Sequence, residues 1–107
     1  MLDYKVAPKV EKYFKKIKTK DRILSRKYSE AILEIRKNPE IGQPKKGNLK
    51  GIIGYDIYHN GVNYELAYEV AEINGKVVLI ILAGTRENFY DQLEKYIKDC
   101  RKYFELN

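Results

Sequence analysis

The stretch VVLIILAGTRENFY at residues 77–90 decides how this chain folds and where chemistry can take place on it. Its first six residues are all large and apolar, which is typical of a β-strand that is buried on both faces. The run stops at Gly84, and a helical pattern begins near Asn88. Because a buried strand is rigid, Arg86 and Tyr90 are held where they could contact a phosphate and a base. The competing interpretation is an ordinary strand-to-helix turn with a solvated Arg86.

Two Asn-Gly pairs, at residues 60–61 and 74–75, predict the two turns that lead into this strand. An Asn-Gly pair between apolar runs is a strong hairpin signal, because both central residues of the favoured turn need positive φ angles. The turns predict strands over about 52–58 and 63–72. Together with the strand over 77–83, these form a three-stranded meander.

The first part of the chain is helical apart from one short strand. Alternating apolar residues over 2–6 predict that strand, and Pro8 suits the first turn of a helix. Apolar residues at helical spacing predict one helix from Pro8 and a second that Asp21 caps and that ends before Pro39. The same spacing predicts a C-terminal helix that begins near Asn88.

This order of elements groups the strands and the helices instead of alternating them, which indicates an α+β fold. We expect residues 1–107 to form one domain. The N-terminal strand should pair with the strand over 77–83, giving a four-stranded, mainly antiparallel sheet with the strand over 52–58 at its edge. The two-helix hairpin should pack on one face of this sheet, and the other face should stay open.

The predicted open face carries an unusual pair of carboxylates. If the first Asn-Gly turn is centred, Asp56 lies directly opposite Glu65, and two facing carboxylates repel each other. A nearby cation, a metal ion or a raised pKa must offset the repulsion, and Arg86 is the obvious cation. With Tyr58 on the same face and Tyr90 after the turn, these residues form a candidate catalytic site. The plainer interpretation is a charged, exposed sheet face with one structural salt bridge.

The single histidine and the single cysteine are not assigned a chemical role. His59 comes at a hairpin tip, where a solvated turn residue is expected, and Cys100 falls on the apolar stripe of the C-terminal helix. One cysteine cannot form an internal disulfide, and a single cysteine with a single histidine offers too few ligands for a typical zinc site. We expect no cofactor and no resident metal, although the facing carboxylates leave a divalent cation open.

The net charge of +6 is distributed unevenly along the chain. Residues 1–50 carry 15 Lys and Arg against 6 Asp and Glu, whereas residues 51–107 carry 6 against 9. The basic half, with Lys45, Lys46 and Lys50 in a loop rich in Gly and Pro, predicts binding to RNA or to an acidic protein. A solvated basic surface is the alternative. No apolar run could span a bilayer and no leader-like pattern is present, so we expect a cytoplasmic location without membrane contact.

Four stretches make the chain resemble the RelE/ParE superfamily of type II toxins. They are NLKG at 48–51, YDIY at 55–58, YELAYEV at 64–70 and GTRENFY at 84–90, and the resemblance extends over nearly the whole chain. It implies a toxin that is neutralised by an antitoxin encoded beside it, whose disordered segment wraps the toxin. Given the basic first half, that antitoxin should be acidic.

The superfamily contains two kinds of toxin. RelE-like members cut mRNA in the ribosomal A site with the RNA's own 2′-hydroxyl as nucleophile, and ParE-like members inhibit DNA gyrase. The resemblance matches Arg86 with the arginine on the scissile phosphate and Tyr90 with a tyrosine near the C-terminal end. Asp56, Tyr58 and Glu65, however, stand where RelE itself has basic residues, so the hairpin is atypically acidic.

The resemblance therefore favours a RelE-like, ribosome-dependent mRNA endonuclease that inhibits translation. Glu65 or Asp56 would take the proton of the 2′-hydroxyl, and Arg86 would stabilise the phosphorane. Tyr58 or Tyr90 would orient a base, while the basic loop would contact ribosomal RNA. Two alternatives stay open: a non-enzymatic inhibitor of gyrase, and a fold relative that has lost toxicity and serves as a binding module.

Overall fold

The structure, a computed structural model, describes residues 1–105. Within them lie three helices and five strands, in the order β1 Asp3–Val6, α1 Pro8–Lys20, α2 Arg22–Lys37, β2 Gln43–Pro44, β3 Ile53–His59, β4 Val62–Glu72, β5 Lys76–Thr85 and α3 Phe89–Tyr103. A 3₁₀ turn over Gly47–Leu49 connects β2 to β3. The predicted α+β class and the three predicted helices are confirmed.

The turns and caps form for the local reasons that the sequence suggests. Both Asn-Gly pairs have positive φ angles at each residue, from 51° to 105°, as a tight hairpin turn requires. Pro8 begins α1, and the Asp21 carboxylate accepts a hydrogen bond of 3.0 Å from the backbone N–H of Leu24 in the first turn of α2. These local signals fix where the elements begin and end.

The sheet has the strand order β1-β5-β4-β3-β2. The predicted pairing of β1 with β5 is confirmed, and the structure shows that it is parallel, with Tyr4 opposite Val78. The prediction of four strands with the strand over 52–58 at the edge was wrong, because β2 adds a short antiparallel pairing to β3, with Gln43 opposite Gly54, and is itself the edge strand. The Tyr68 hydroxyl holds this loop against the sheet by donating to the Pro39 carbonyl oxygen, 2.7 Å away.

The sheet has helices on both faces. The α1–α2 hairpin covers the face that carries Tyr64, whose ring packs edge-on to Tyr28 of α2. Helix α3 crosses the other face, where Arg101 forms an ion pair with Glu69 at 3.0 Å. The expectation that this second face stays open was wrong. Six consecutive apolar residues at 77–82 are buried because both faces of β5 are covered.

The tip of the β3–β4 hairpin packs against the turn between α1 and α2. His59 is only 4% exposed, and its Nε2 donates to Asp21 Oδ2 at 2.9 Å, so the expectation of a solvated turn histidine was wrong. The nearby Lys27 ammonium donates to the Tyr58 carbonyl oxygen and closes the same end of the sheet. Cys100 lies in the core, as predicted. Among residues 1–105, no helix combines the length and the apolar character needed to cross a membrane.

Candidate functional site

The carboxylate pair is the centre of the candidate site. Asp56 of β3 and Glu65 of β4 are direct partners across the hairpin, as the sequence predicts. Their surroundings differ, because the Asp56 side chain is 61% exposed whereas that of Glu65 is 2% exposed. Glu65 lies on an interior strand under the first turn of α3, while Asp56 faces solvent. A substrate can therefore touch Asp56 directly but reaches Glu65 only if its cover moves.

Arg86 approaches this pair from the end of β5. Its backbone N–H donates to the Asn63 carbonyl oxygen at 2.9 Å, which fixes the chain just past the strand. The guanidinium lies 3.9 Å from Asp56 Oδ1 and 4.0 Å from Glu65 Oε2. These separations exceed those of charge-assisted hydrogen bonds, and the side chain is 55% exposed. Arg86 thus offsets the carboxylates while keeping donors that an incoming anion can use.

Tyr90 forms the cover over Glu65. Asn88 adopts a left-handed conformation with φ of 57°, and α3 begins directly after it, which turns Tyr90 inward. The Tyr90 hydroxyl lies so close to Gly54 that an added Cβ there would overlap it. Neither the Tyr90 hydroxyl nor Glu65 Oε2 has a hydrogen bond of normal geometry within residues 1–105, although each shifts the pKa of the other. Both atoms are buried and close enough to influence each other's protonation.

Lys45 is the second cation of the site. Its ammonium lies 4.6 Å from the centre of the Tyr90 ring, an arrangement typical of a cation–π contact. The pairing of β2 with β3 brings it there, since the Lys45 N–H donates to the Ile52 carbonyl oxygen at 2.8 Å. The sequence assigned Lys45 only to an RNA-binding loop. The only feature of the sequence that pointed to a position of Lys45 within the site was Gly54, because a glycine within a strand often marks a place where another part of the protein packs closely against the backbone.

The other predicted residues are Lys46, Lys50 and Tyr58. Lys46 is exposed, and the carbonyl oxygen of Lys50 accepts a hydrogen bond from Arg101, eleven residues along α3 from Tyr90. Eleven helical residues extend about 16 Å, so Lys50 lies toward the opposite end of α3. Tyr58 is 65% exposed. An added Cβ at Gly61 would lie 3.9 Å from the Tyr58 hydroxyl, so this ring extends toward the hairpin tip.

Burial changes the acidity of the site. It raises the pKa of Glu65 to about 7, and the adjacent Asp56 carboxylate adds to the rise, while Tyr90 and Lys45 oppose it. Burial also raises the pKa of Tyr90, and the neighbouring Glu65 carboxylate raises it further. A carboxyl group that titrates near neutrality can both take and return a proton under physiological conditions. Among residues 1–105, no group of three or more His, Cys, Asp or Glu side chains is arranged to hold a metal ion.

The sequence model of one protein family matches residues 5–94 of this chain. That family is described as ParE-like toxin of type II bacterial toxin-antitoxin system. The matched range extends from β1 into α3 and contains Lys45, Asp56, Glu65, Arg86 and Tyr90. No curated protein and no solved structure matches the chain significantly.

Proposed function

The chain belongs to the ParE-like toxin family of type II toxin–antitoxin systems, and we propose that it acts by cutting mRNA on the ribosome. Membership of the family implies a cognate antitoxin as partner. The observation that carries the proposal is the buried Glu65, with a pKa of about 7, beside the exposed carboxylate of Asp56 and the exposed guanidinium of Arg86. This combination supplies a proton acceptor and an anion-binding group side by side.

In the proposed reaction, Asp56 takes the proton of the RNA 2′-hydroxyl, because it is the carboxylate that a substrate can reach. The 2′-oxygen then bonds to phosphorus, and the bond from phosphorus to the 5′-oxygen breaks. The leaving 5′-oxygen takes a proton from water, and Asp56 later returns its own proton to solvent, so that the products are a 2′,3′-cyclic phosphate and a 5′-hydroxyl. Glu65 acts through Asp56, since a buried carboxyl group with a pKa of about 7 can share its proton with an exposed neighbouring carboxylate.

Arg86 has the role of stabilising charge in this reaction. As the 2′-oxygen attacks, negative charge accumulates on the oxygens of the phosphorane, and a preorganised cation there is worth several kcal/mol. Lys45 lies on the same side of the sheet and adds positive charge. Tyr58, with its exposed ring on the same strand as Asp56, offers a surface on which a base can stack.

Primer extension on an mRNA bound to ribosomes tests this proposal directly. We expect the wild-type protein to produce cuts that require the ribosome, and Arg86→Ala to reduce the cleavage rate by about a hundredfold or more. Lys76→Ala is the matched control, because it removes one exposed positive charge from the far end of the same strand. Cleavage by a folded Arg86→Ala protein at the wild-type rate would contradict the proposal.

Inhibition of DNA gyrase is the second candidate function. Two observations favour it: the family is described as ParE-like, and Tyr90 covers Glu65, which limits the access of a substrate to that carboxyl group. This function predicts growth arrest with an SOS response and intact mRNA. Supercoiling by purified gyrase should then fall in the presence of the protein, and primer extension should detect no cuts. A folded protein without effect in both assays would point to the non-toxic binding module.

A further inference from the structure

The chain is fastened to the sheet directly before Lys45. The Tyr68 hydroxyl donates to the Pro39 carbonyl oxygen at 2.7 Å and accepts a hydrogen bond of 3.2 Å from the Gly42 N–H. Gly42 packs so closely on β3 that an added Cβ would overlap the Gly54 carbonyl oxygen. Strand β2 then pairs with β3, and Lys45 is the next residue. The backbone of Lys45 is therefore fixed in place, unlike that of a lysine in a freely solvated loop.

Gly54 provides the space into which the Lys45 side chain extends. A Cβ added at Gly54 would lie 2.9 Å from Lys45 Cε and 3.3 Å from Lys45 Nζ, and it would overlap the Tyr90 hydroxyl. A larger residue at this buried position would displace one of these groups. Lys45 is accordingly half-buried, whereas the next residue, Lys46, is exposed. The two adjacent lysines therefore have different environments.

Charged and polar groups from four elements face Glu65. Asp56 lies opposite it on β3, Tyr90 of α3 covers it, and Arg86 at the end of β5 lies 4.0 Å from its Oε2. Because the strand order is β5-β4-β3-β2, Lys45 approaches from the other side. Water screens the exposed Arg86 charge more than that of the half-buried Lys45. Within residues 1–105, none of the ion pairs includes Lys45, so its charge stays available to Glu65.

We propose that Lys45 is a positioning residue of the candidate site, which holds the Tyr90 ring over Glu65 and favours the ionised form of that carboxyl group. The contact of 4.6 Å between the ammonium and the ring centre performs the first part. The second part follows from charge, because a cation that is shielded from water stabilises a nearby carboxylate more than an exposed cation does. Burial raises the pKa of Glu65, and the Lys45 charge opposes this rise.

This role has a consequence for the proposed cleavage of mRNA. Glu65 can take over the proton that Asp56 removes from the 2′-hydroxyl only while Glu65 is ionised. By favouring the ionised form, Lys45 keeps Glu65 able to accept a proton near neutral pH. Lys45 thus acts through Tyr90 and Glu65, in addition to any contact with RNA. This consequence rests on the proposed function, whereas the contact with Tyr90 and the effect on Glu65 do not.

A ¹³C NMR titration of the Glu65 carboxyl group tests the role of the charge without any assay of cleavage. The spectrum of Glu65→Gln identifies the resonance. We expect Lys45→Met, which removes the charge and keeps the length of the side chain, to raise the pKa of Glu65 by about 0.5 or more, about a threefold rise in proton affinity. Lys45→Arg keeps the charge and should restore most of the wild-type value. Lys46→Met is the matched control, because it removes the same charge from the adjacent exposed residue, and should leave the pKa within about 0.2.

Proton NMR of the lysine side chains tests the contact with the ring. The protons on Lys45 Cε should resonate upfield of those on Lys46 Cε, because the Lys45 ammonium lies over the Tyr90 ring. Tyr90→Leu should remove this difference, since it replaces the ring by an aliphatic side chain. A lysine that is only solvated gives no such signature.

Each contrary outcome overturns a specific part of the proposal. An unchanged or lowered pKa of Glu65 in Lys45→Met, or an equal rise in Lys46→Met, would refute the role of the charge. Equal chemical shifts for the two lysines in the wild-type protein would refute the contact with Tyr90. In the cleavage assay, the acid limb of the pH–rate profile should move to higher pH in Lys45→Met, and an unmoved limb would refute the consequence for the reaction. Absence of cleavage by the folded wild-type protein, with both NMR results as expected, would refute only the proposed nuclease.

Discussion

Replacing Glu65 by Gln should change how the stability of this protein depends on pH. In the folded protein the pKa of Glu65 is raised from 4.5 to about 7 by burial and by Asp56. The folded state therefore holds a proton that the unfolded state releases between these two values. As the pH rises from about 4.5 through 7, stability falls, because folding must either retain the proton or bury a charge.

The size of the effect follows from the shift in pKa. Each pKa unit corresponds to about 1.4 kcal/mol, so the change from 4.5 to about 7 costs the wild-type protein about 3 kcal/mol above pH 8. Glutamine has nearly the shape of the protonated acid and cannot ionise. Glu65→Gln should therefore match the wild type near pH 4 and exceed its free energy of unfolding by about 3 kcal/mol at pH 8.

Urea unfolding at pH values from 4 to 8.5 measures this difference. The comparison of variant with wild type cancels the titration of groups that do not interact with Glu65, such as Asp21, whose pKa is lowered by its hydrogen bond at the start of α2. Glu94→Gln is the matched control, because it makes the same replacement at an exposed position of α3. A constant difference between Glu65→Gln and wild type, or a variant less stable at pH 8, would refute the reasoning.

Two further predictions concern the packing of α3. Gly54→Ala should destabilise the protein by about 1–3 kcal/mol, because the added Cβ displaces the Tyr90 hydroxyl. Gly84→Ala is the control and should not destabilise the protein in this way, because there is open space around its added Cβ. Equal unfolding midpoints for the two variants would contradict this account. Arg101→Ala should cost about 2 kcal/mol, because it leaves the largely buried Glu69 without its partner. In thermal unfolding, the loss in the double variant with Glu69→Ala should be smaller than the sum of the single losses, and strict additivity would argue against the pairing.

The sequence correctly predicted how Asp56, Glu65 and Arg86 are placed in the candidate site. The centred turn at residues 60–61 predicted that Asp56 lies opposite Glu65, because a two-residue hairpin fixes the register of the strands that it joins. The end of the apolar run predicted where Arg86 emerges. The roles of Asp56, Tyr58, Glu65, Arg86 and Tyr90 in chemistry stay predictions, and the cleavage assay with Arg86→Ala tests that of Arg86.

Contacts between distant parts of the chain could not be predicted in this way. Lys45 reaches Tyr90 only because a loop adds β2 to the edge of the sheet, and no local pattern marks a strand of two residues. His59 is buried because a hairpin tip meets the turn capped by Asp21. Both contacts form between polar segments, each of which would be expected to face solvent when it is considered alone.

The sequence by itself determined the three helices, four of the five strands, the register of the hairpin at residues 60–61 and the family of this protein. Periodicity, Asn-Gly turns and helix caps act between residues that are near in the chain, so their effect does not depend on the rest of the fold. Only the tertiary structure decided on which face α3 packs, and thereby that Glu65 is buried and Asp56 is exposed. The physical reason is that burial, and the rise in the pKa of Glu65 that follows from it, depend on which side chains cover a position in space.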